Sequence, residues 1–194
     1  MKPITPTEIL SLRDYERIRD RLRPLFIHEK DRRRLAVGSH LTLLFENAQT
    51  VWYQVQEMIR TEKLETPDAI AHEIETYNEL LPGPHELAAT MLIEYPDAAH
   101  RDAALRRLLG LESHVWIMLG DYRARALFDE RQMTTDRISS VQFVRFPLGQ
   151  IECDKFLALA QAGKAAVEID HPSLAARGPI AGPIAEALSE DLLA

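Results

Sequence analysis

Apolar positions recur at three- and four-residue steps along some stretches of the chain and alternate along others, so the pattern predicts both helices and strands. Thr7 is placed to cap a helix through Ile9, Leu12, Tyr15, Ile18, Leu22 and Phe26, with Pro24 kinking or dividing it. Positions 35–37 and 41–46 read as strands around Gly38, which supplies the turn. Leu41, Leu43 and Phe45 share one strand face, and Thr42, Leu44 and Glu46 share the other. From Thr50 to Glu62 the period is helical: Val51, Trp52, Val55, Met58 and Ile59 form a stripe. Gln54 and Gln56 sit on its shoulders, and Tyr53, Glu57 and Arg60 lie opposite. Glu62 falls back on the apolar side at the helix end, either emerging into water or held inside a pocket.

Thr66-Pro67-Asp68 opens a further helix through Ile70, Ile74, Tyr77 and Leu81, and Pro82-Gly83-Pro84 ends it. Positions 87–95 alternate as a strand, Asp97 caps a helix through Leu105 and Leu108, and Gly110 stops that helix. Strands are predicted at 114–119, 122–128 and 139–146, the first two turning at Gly120-Asp121. A helix through Phe156 and Leu159 closes at Gly163, and 165–170 is a last strand. The Ala/Pro/Gly-rich segment 171–182 leads into a short helix from Pro183, with Ile184, Leu188 and Leu192 on one face. The strands cluster late and outnumber a regular alternation with helices. The expected class is therefore α+β, a mostly antiparallel sheet flanked by helices behind a long N-terminal helical segment. The expected organisation is a single domain, 1–194, in which 1–34 is a helical arm packing on the body and 171–194 a C-terminal tail that docks through its apolar stripe.

The chain has 194 residues, 46% of them hydrophobic, which is enough to bury a core unaided. A net charge of −7 argues against nucleic acid as the main partner, because phosphate neutralisation needs a basic face. The segment 13–34 carries a local +4, leaving −11 for the rest. Its acids Asp14, Glu16, Asp20, Glu29 and Asp31 are interleaved with the bases, as on a solvated helix face, so a nucleic-acid-binding arm is the weakest reading. The one cysteine, Cys153, excludes an intramolecular disulfide and suits a reducing compartment. No apolar run approaches the ~18 residues of a membrane span, and no signal peptide is evident, so the expected location is cytoplasmic.

No G-x-S-x-G, G-x-x-x-x-G-K, G-x-G-x-x-G or H-E-x-x-H motif occurs. Chemistry must then come from dispersed groups. The polar residues Gln54, Gln56, Glu57, Arg60 and Glu62 make a candidate polar cleft beside the 50–62 helix. Glu46 and Glu94 each end a strand of packable residues and could, with Glu62 and with His40 or His171, supply oxygen and imidazole ligands to a divalent metal such as iron, manganese or zinc. The simpler reading of each carboxylate is that it is solvated, with Glu57 pairing with Arg60 along the helix. Of seven histidines, His40 and His171 stand out at strand ends or turns, and Asp170 beside His171 is a candidate ligand or orienting partner. Cys153 begins a predicted helix, but Glu152 and Asp154 oppose thiolate formation, which makes it a passive small residue.

The blocks A-V-G-S-H at 36–40, T-L-L-F-E at 42–46, Y-Q-V-Q-E-M-I-R-T-E at 53–62, I-E-Y-P at 93–96, S-S-V-Q-F-V-R-F at 139–146 and D-H-P at 170–172 resemble a bacterial family, domain of unknown function 3501, over nearly the whole chain. One departure is Gln142, where the resemblance leads one to expect histidine. The resemblance implies no activity and no catalytic residues. It implies a neighbourhood: members are often encoded near a rubrerythrin-like protein and an iron–sulfur oxidoreductase resembling heterodisulfide reductase. The expected function on that basis is an accessory protein of a cytoplasmic redox or oxidative-stress module, binding such proteins as partners. The alternative is a metal-dependent enzyme acting through the carboxylates on a small substrate or oxidant.

Overall fold

A computed structural model of the chain describes residues 1–132 and 135–193. After a 3-10 turn at Pro6–Glu8 come α1 (Leu12–Asp31), β1 (Arg34–Val37), β2 (Leu41–Glu46), α2 (Ala48–Glu62), α3 (Pro67–Asn78), β3 (Glu86–Ile93) and α4 (Ala98–Arg107). The second half adds β4 (Val115–Leu119), β5 (Tyr122–Arg125), β6 (Leu127–Phe128), β7 (Val141–Pro147), α5 (Gln150–Gln161), β8 (Ala165–His171), β9 (Leu174–Pro179) and α6 (Pro183–Leu193). The fold is α+β. Its strands form two antiparallel sheets, ordered β1-β2-β3-β7-β6 and β5-β4-β8-β9. Among the described residues no helix is long and apolar enough to cross a membrane.

The sheets are joined at both sides. The chain leaves one sheet along β5 and enters the other along β6, with Ala126 between them donating its N–H to Val115 O at 2.8 Å. That junction splits the single strand expected at 122–128. On the opposite side β9 lies against β1. Alternation then directs Leu43, Phe45 and Met91 of the first sheet, and Ile117, Val167 and Ile169 of the second, into one core, which α4, α5 and α6 help to fill. Phe156 and Leu188 are the large, fully buried contributions of the last two helices.

The segment 171–182, expected to be an irregular lead into the last helix, instead carries β9. Its sequence L-A-A-R-G-P lacks the β-branched and aromatic residues that mark strands. Small residues are what its position against β1 demands. A Cβ at Gly178 would lie 2.6 Å from Ala36 O, and one at Gly38 would lie 3.0 Å from Ala176 Cβ. The final helix docks as its apolar stripe requires, burying Ile184 and Leu188.

A second, smaller cluster lies outside the first sheet, where Val51, Val55 and Ile59 of α2 meet Ile74 of α3 and the outward-facing Phe143 of β7. α1 then covers the far side of α2. Tyr53, expected opposite the apolar stripe, is therefore buried and stacks on Phe26 at 4.6 Å, while Trp52 stacks on the same ring at 5.4 Å. α1 runs unbroken past Pro24, whose missing N–H falls on an exposed part of the helix, and its cap is Ser11, which accepts from Asp14 N, rather than Thr7.

Candidate functional site

Three outward-facing residues of the first sheet lie in one cross-strand row. Glu46 on β2 is opposite Ala88 on β3, and Ala88 is opposite Arg145 on β7. Adjacent strands are about 4.8 Å apart, so the acid and the base start about 10 Å apart at the backbone with only a methyl group between them. α2 covers this sheet face beside β2, and the end of α3 with the residues after it passes over the rest. The low floor at Ala88 leaves a cavity of about 690 Å³, walled by Tyr77, Leu80, Leu127 and Phe143. That volume is in the range of small-molecule sites, and mostly apolar walls with few polar groups are their usual chemistry.

Glu46 is only 2% exposed. Its Oε2 accepts from the Thr50 hydroxyl at 2.5 Å and its Oε1 from the Thr90 hydroxyl at 2.7 Å. Asn47 N donates to Thr50 Oγ at 3.0 Å, which leaves the hydroxyl proton for the carboxylate. Asn47 also caps α2, so the strand end and the helix start together fix the acid. The other charges lining the cavity are mutually paired. Arg145 donates to the Glu86 carboxylate and to the carbonyls of Leu81 and Glu79. Arg131 donates to Asp129 and to Glu79, and its hydrogen bonds hold both carboxyls below the usual range. Glu46 pairs with no cation among the described residues.

The five residues of the expected polar cleft are spread around α2 and do not converge on one space. Gln56 is fully buried, accepting from Leu10 N at 3.0 Å and donating to Leu10 O at 3.2 Å, as a strand partner would. Glu57 takes two hydrogen bonds from Arg19 at 2.7 and 2.8 Å and one from the Tyr15 hydroxyl at 2.6 Å. Arg60 donates to Glu16 at 2.8 Å. These three fasten the N-terminal arm to α2. Gln54 faces the Tyr77 hydroxyl on α3, and Glu62 lies near Glu73, whose carboxyl is pushed up by burial and further by the Glu62 charge.

The Arg19 guanidinium holds the Glu57 carboxyl at about 2, well under its ordinary 4.5, with Tyr15 assisting and burial opposing. A carboxyl lowered on folding stabilises fully above its unfolded pKa and loses that contribution as pH falls towards the folded value. Glu57→Gln is expected to destabilise the protein by about 2 kcal/mol at pH 7, allowing for the part of the side chain that stays in water. The gap to wild type should close between about pH 5 and pH 2, read from urea unfolding midpoints across that range.

The expected metal ligands do not come together either. His40 stacks on Tyr95 at 4.0 Å and its Nδ1 lies 3.2 Å from the Glu94 carbonyl, while the Glu94 carboxylate accepts from Thr42 at 2.6 Å. That group sits at the start of β2, about 20 Å along the strand from Glu46. Glu62 is at the end of α2. His171, 7% exposed, accepts from Ser173 N through Nδ1 and donates to the Leu109 carbonyl through Nε2, both at 3.1 Å. Both ring nitrogens are thereby occupied, leaving no lone pair for a metal. Among the described residues no group of three or more His, Cys, Asp or Glu is placed to hold a metal ion. Asp170 serves Trp116, His114 and Arg123 rather than His171, and the Trp116 hydrogen bond leads in lowering its carboxyl to about 2. Gln142 is buried on the inner face, donating to Ser139 O at 3.1 Å. Cys153 is buried, which pushes its thiol up.

Of the residues forming the cavity, the sequence pattern singles out Glu46 alone. Ala88, Phe143 and Arg145, like Thr90 that holds Glu46, carry no local signal, because strand pairing between distant segments creates their juxtaposition.

Fold and site together define an α+β protein of two joined antiparallel sheets with a small-molecule-sized cavity on the outer face of one. The chain belongs to the family described as protein of unknown function, DUF3501, whose model matches residues 3–192. It is similar to a novel protein of unknown function from Burkholderia pseudomallei K96243, known from a crystal structure, at 34% identity and a TM-score of 0.87 over 98% of this chain and 100% of that one. No curated protein matches the chain.

Proposed function

We propose that this protein binds a small organic molecule in the cavity between the outer face of the first sheet and the end of α3. The observation that carries the reading is the notch at Ala88, where one methyl group between Glu46 and Arg145 leaves about 690 Å³ under apolar and aromatic walls. A packed outer face would have a large side chain there. Within the redox or oxidative-stress module that the family resemblance implies, binding would make the protein a ligand-responsive accessory to a partner. The carboxylate-metal enzyme reading has less support, since its proposed ligands lie apart.

Ala88→Leu tests the cavity. The added carbons fill the notch from the outer face and leave the inner core untouched. Saturation-transfer NMR with a mixture of fragment-sized aromatic compounds should give a set of binders for wild type that the variant loses, with melting by circular dichroism confirming the fold. No binders for wild type, or the same binders for both proteins, would rule the cavity out as the site.

A further inference from the structure

We infer that the cavity selects an organic cation, an ammonium or guanidinium group on an apolar body, and that Glu46 is the residue that recognises it. This rests on the reading of the cavity as a ligand site and assigns its ligand class. Three observations converge on it.

The first is the charge inventory. Arg145 is engaged by a carboxylate and two backbone carbonyls, and Arg131 by two carboxylates. An anionic ligand would meet guanidinium charges that carboxylates already balance. Glu46 faces the same space with only neutral hydroxyls as partners. A carboxylate withdrawn from water without a counter-ion is costly, and a bound cation removes that cost.

The second is bonding capacity. Each Glu46 oxygen accepts one hydroxyl, leaving each with acceptor capacity for a ligand N–H. The backbone N–H of Asn47 orients the Thr50 hydroxyl, so the acceptors are preset rather than assembled on binding. A single carboxylate with two hydroxyls is a poor set for a divalent metal, which takes more oxygen ligands and usually more negative charge. It suits a monovalent ammonium.

The third is the wall. Phe143 and Tyr77 line the cavity and offer aromatic surface to a hydrocarbon body and to the cation itself.

Calorimetric titration of the full chain at pH 7 with 2-phenylethylamine, 2-phenylethanol and 3-phenylpropanoate separates charge from shape. The amine should bind at least tenfold more tightly than the alcohol, with the acid weakest. Glu46→Gln should reduce the amine to the level of the alcohol, while Glu46→Asp, which keeps the charge, should retain the preference. The ranking in wild type needs no variant, so a misfolded substitution leaves the test intact. Alcohol or acid binding as tightly as the amine overturns the cation assignment, and if Ala88→Leu abolishes that binding the cavity itself stands. Amine binding that survives Ala88→Leu overturns both. No binding of any of the three at millimolar concentration also overturns the cation assignment, and the fragment screen then decides the cavity on its own.

Discussion

Arg33→Met is expected to destabilise the protein by about 3–5 kcal/mol, the range for removing one partner of a buried ion pair. Arg33 is 2% exposed and lies between two carboxylates, Glu29 of α1 and Asp191 of α6, each 2.7 Å away. Asn47, which caps α2, donates to the same two acids at 3.2 and 3.3 Å. One guanidinium thus ties the end of α1, the start of β1, the start of α2 and the last helix. Burial already pushes the Asp191 carboxyl up despite the arginine beside it, and its Oδ2 has no hydrogen-bond partner. Without Arg33, two largely buried carboxylates share the space it filled, and Asp191 loses its cation while Glu29 keeps, among the described residues, only Arg32 at 3.6 Å. The loss should show as a lower urea midpoint with an unchanged slope, and adding Asp191→Asn should recover part of it. A change below about 1 kcal/mol would mean the network is more hydrated than the structure shows.

Gly178→Ala is expected to cost about 2–3 kcal/mol, the upper part of the range for overpacking, because its new methyl meets backbone. The Cβ would stand 2.6 Å from Ala36 O and 2.9 Å from Val37 Cγ2, so β9 could accept it only by moving away from β1. Gly163 provides the control. It has φ +70° and a methyl added there would meet nothing within 4 Å, so Gly163→Ala should cost about 1 kcal/mol from backbone conformation alone. Thermal unfolding of both variants should rank Gly178→Ala below Gly163→Ala. The reverse order would mean that the two sheets do not meet along β1 and β9 as described.

The same glycine shows where sequence reading stops. Periodicity and caps locate most of the helices and strands, because each reports on its own neighbours: Thr66-Pro67 starts α3 and Asp97 starts α4 with the expected side-chain caps. β9 is hidden because its composition answers to β1 across the molecule rather than to strand propensity. The pattern misplaces Tyr53 and Gln56 for a related reason. An amphipathic pattern assumes one buried face, and α2 has two, one against the sheet and one under α1. Glu46 is visible as an acid ending an apolar strand. Its isolation from cations depends on Arg145 and Arg131 being taken up by Glu86, Asp129 and Glu79, which is a fact of tertiary arrangement. The metal reading gathers Glu46, Glu62, Glu94, His40 and His171 by residue type, and the fold leaves them at separate places.

The most direct test of the central claim is where a ligand lands. Adding 2-phenylethylamine to isotope-labelled protein and following backbone amide signals should shift Ala88, Thr90, Phe143 and Arg145 together with Glu46, and Glu46→Gln should suppress those shifts. Shifts gathered instead on the outer face of the second sheet around Trp116 and Arg123, or beside His40 and Tyr95, would contradict it.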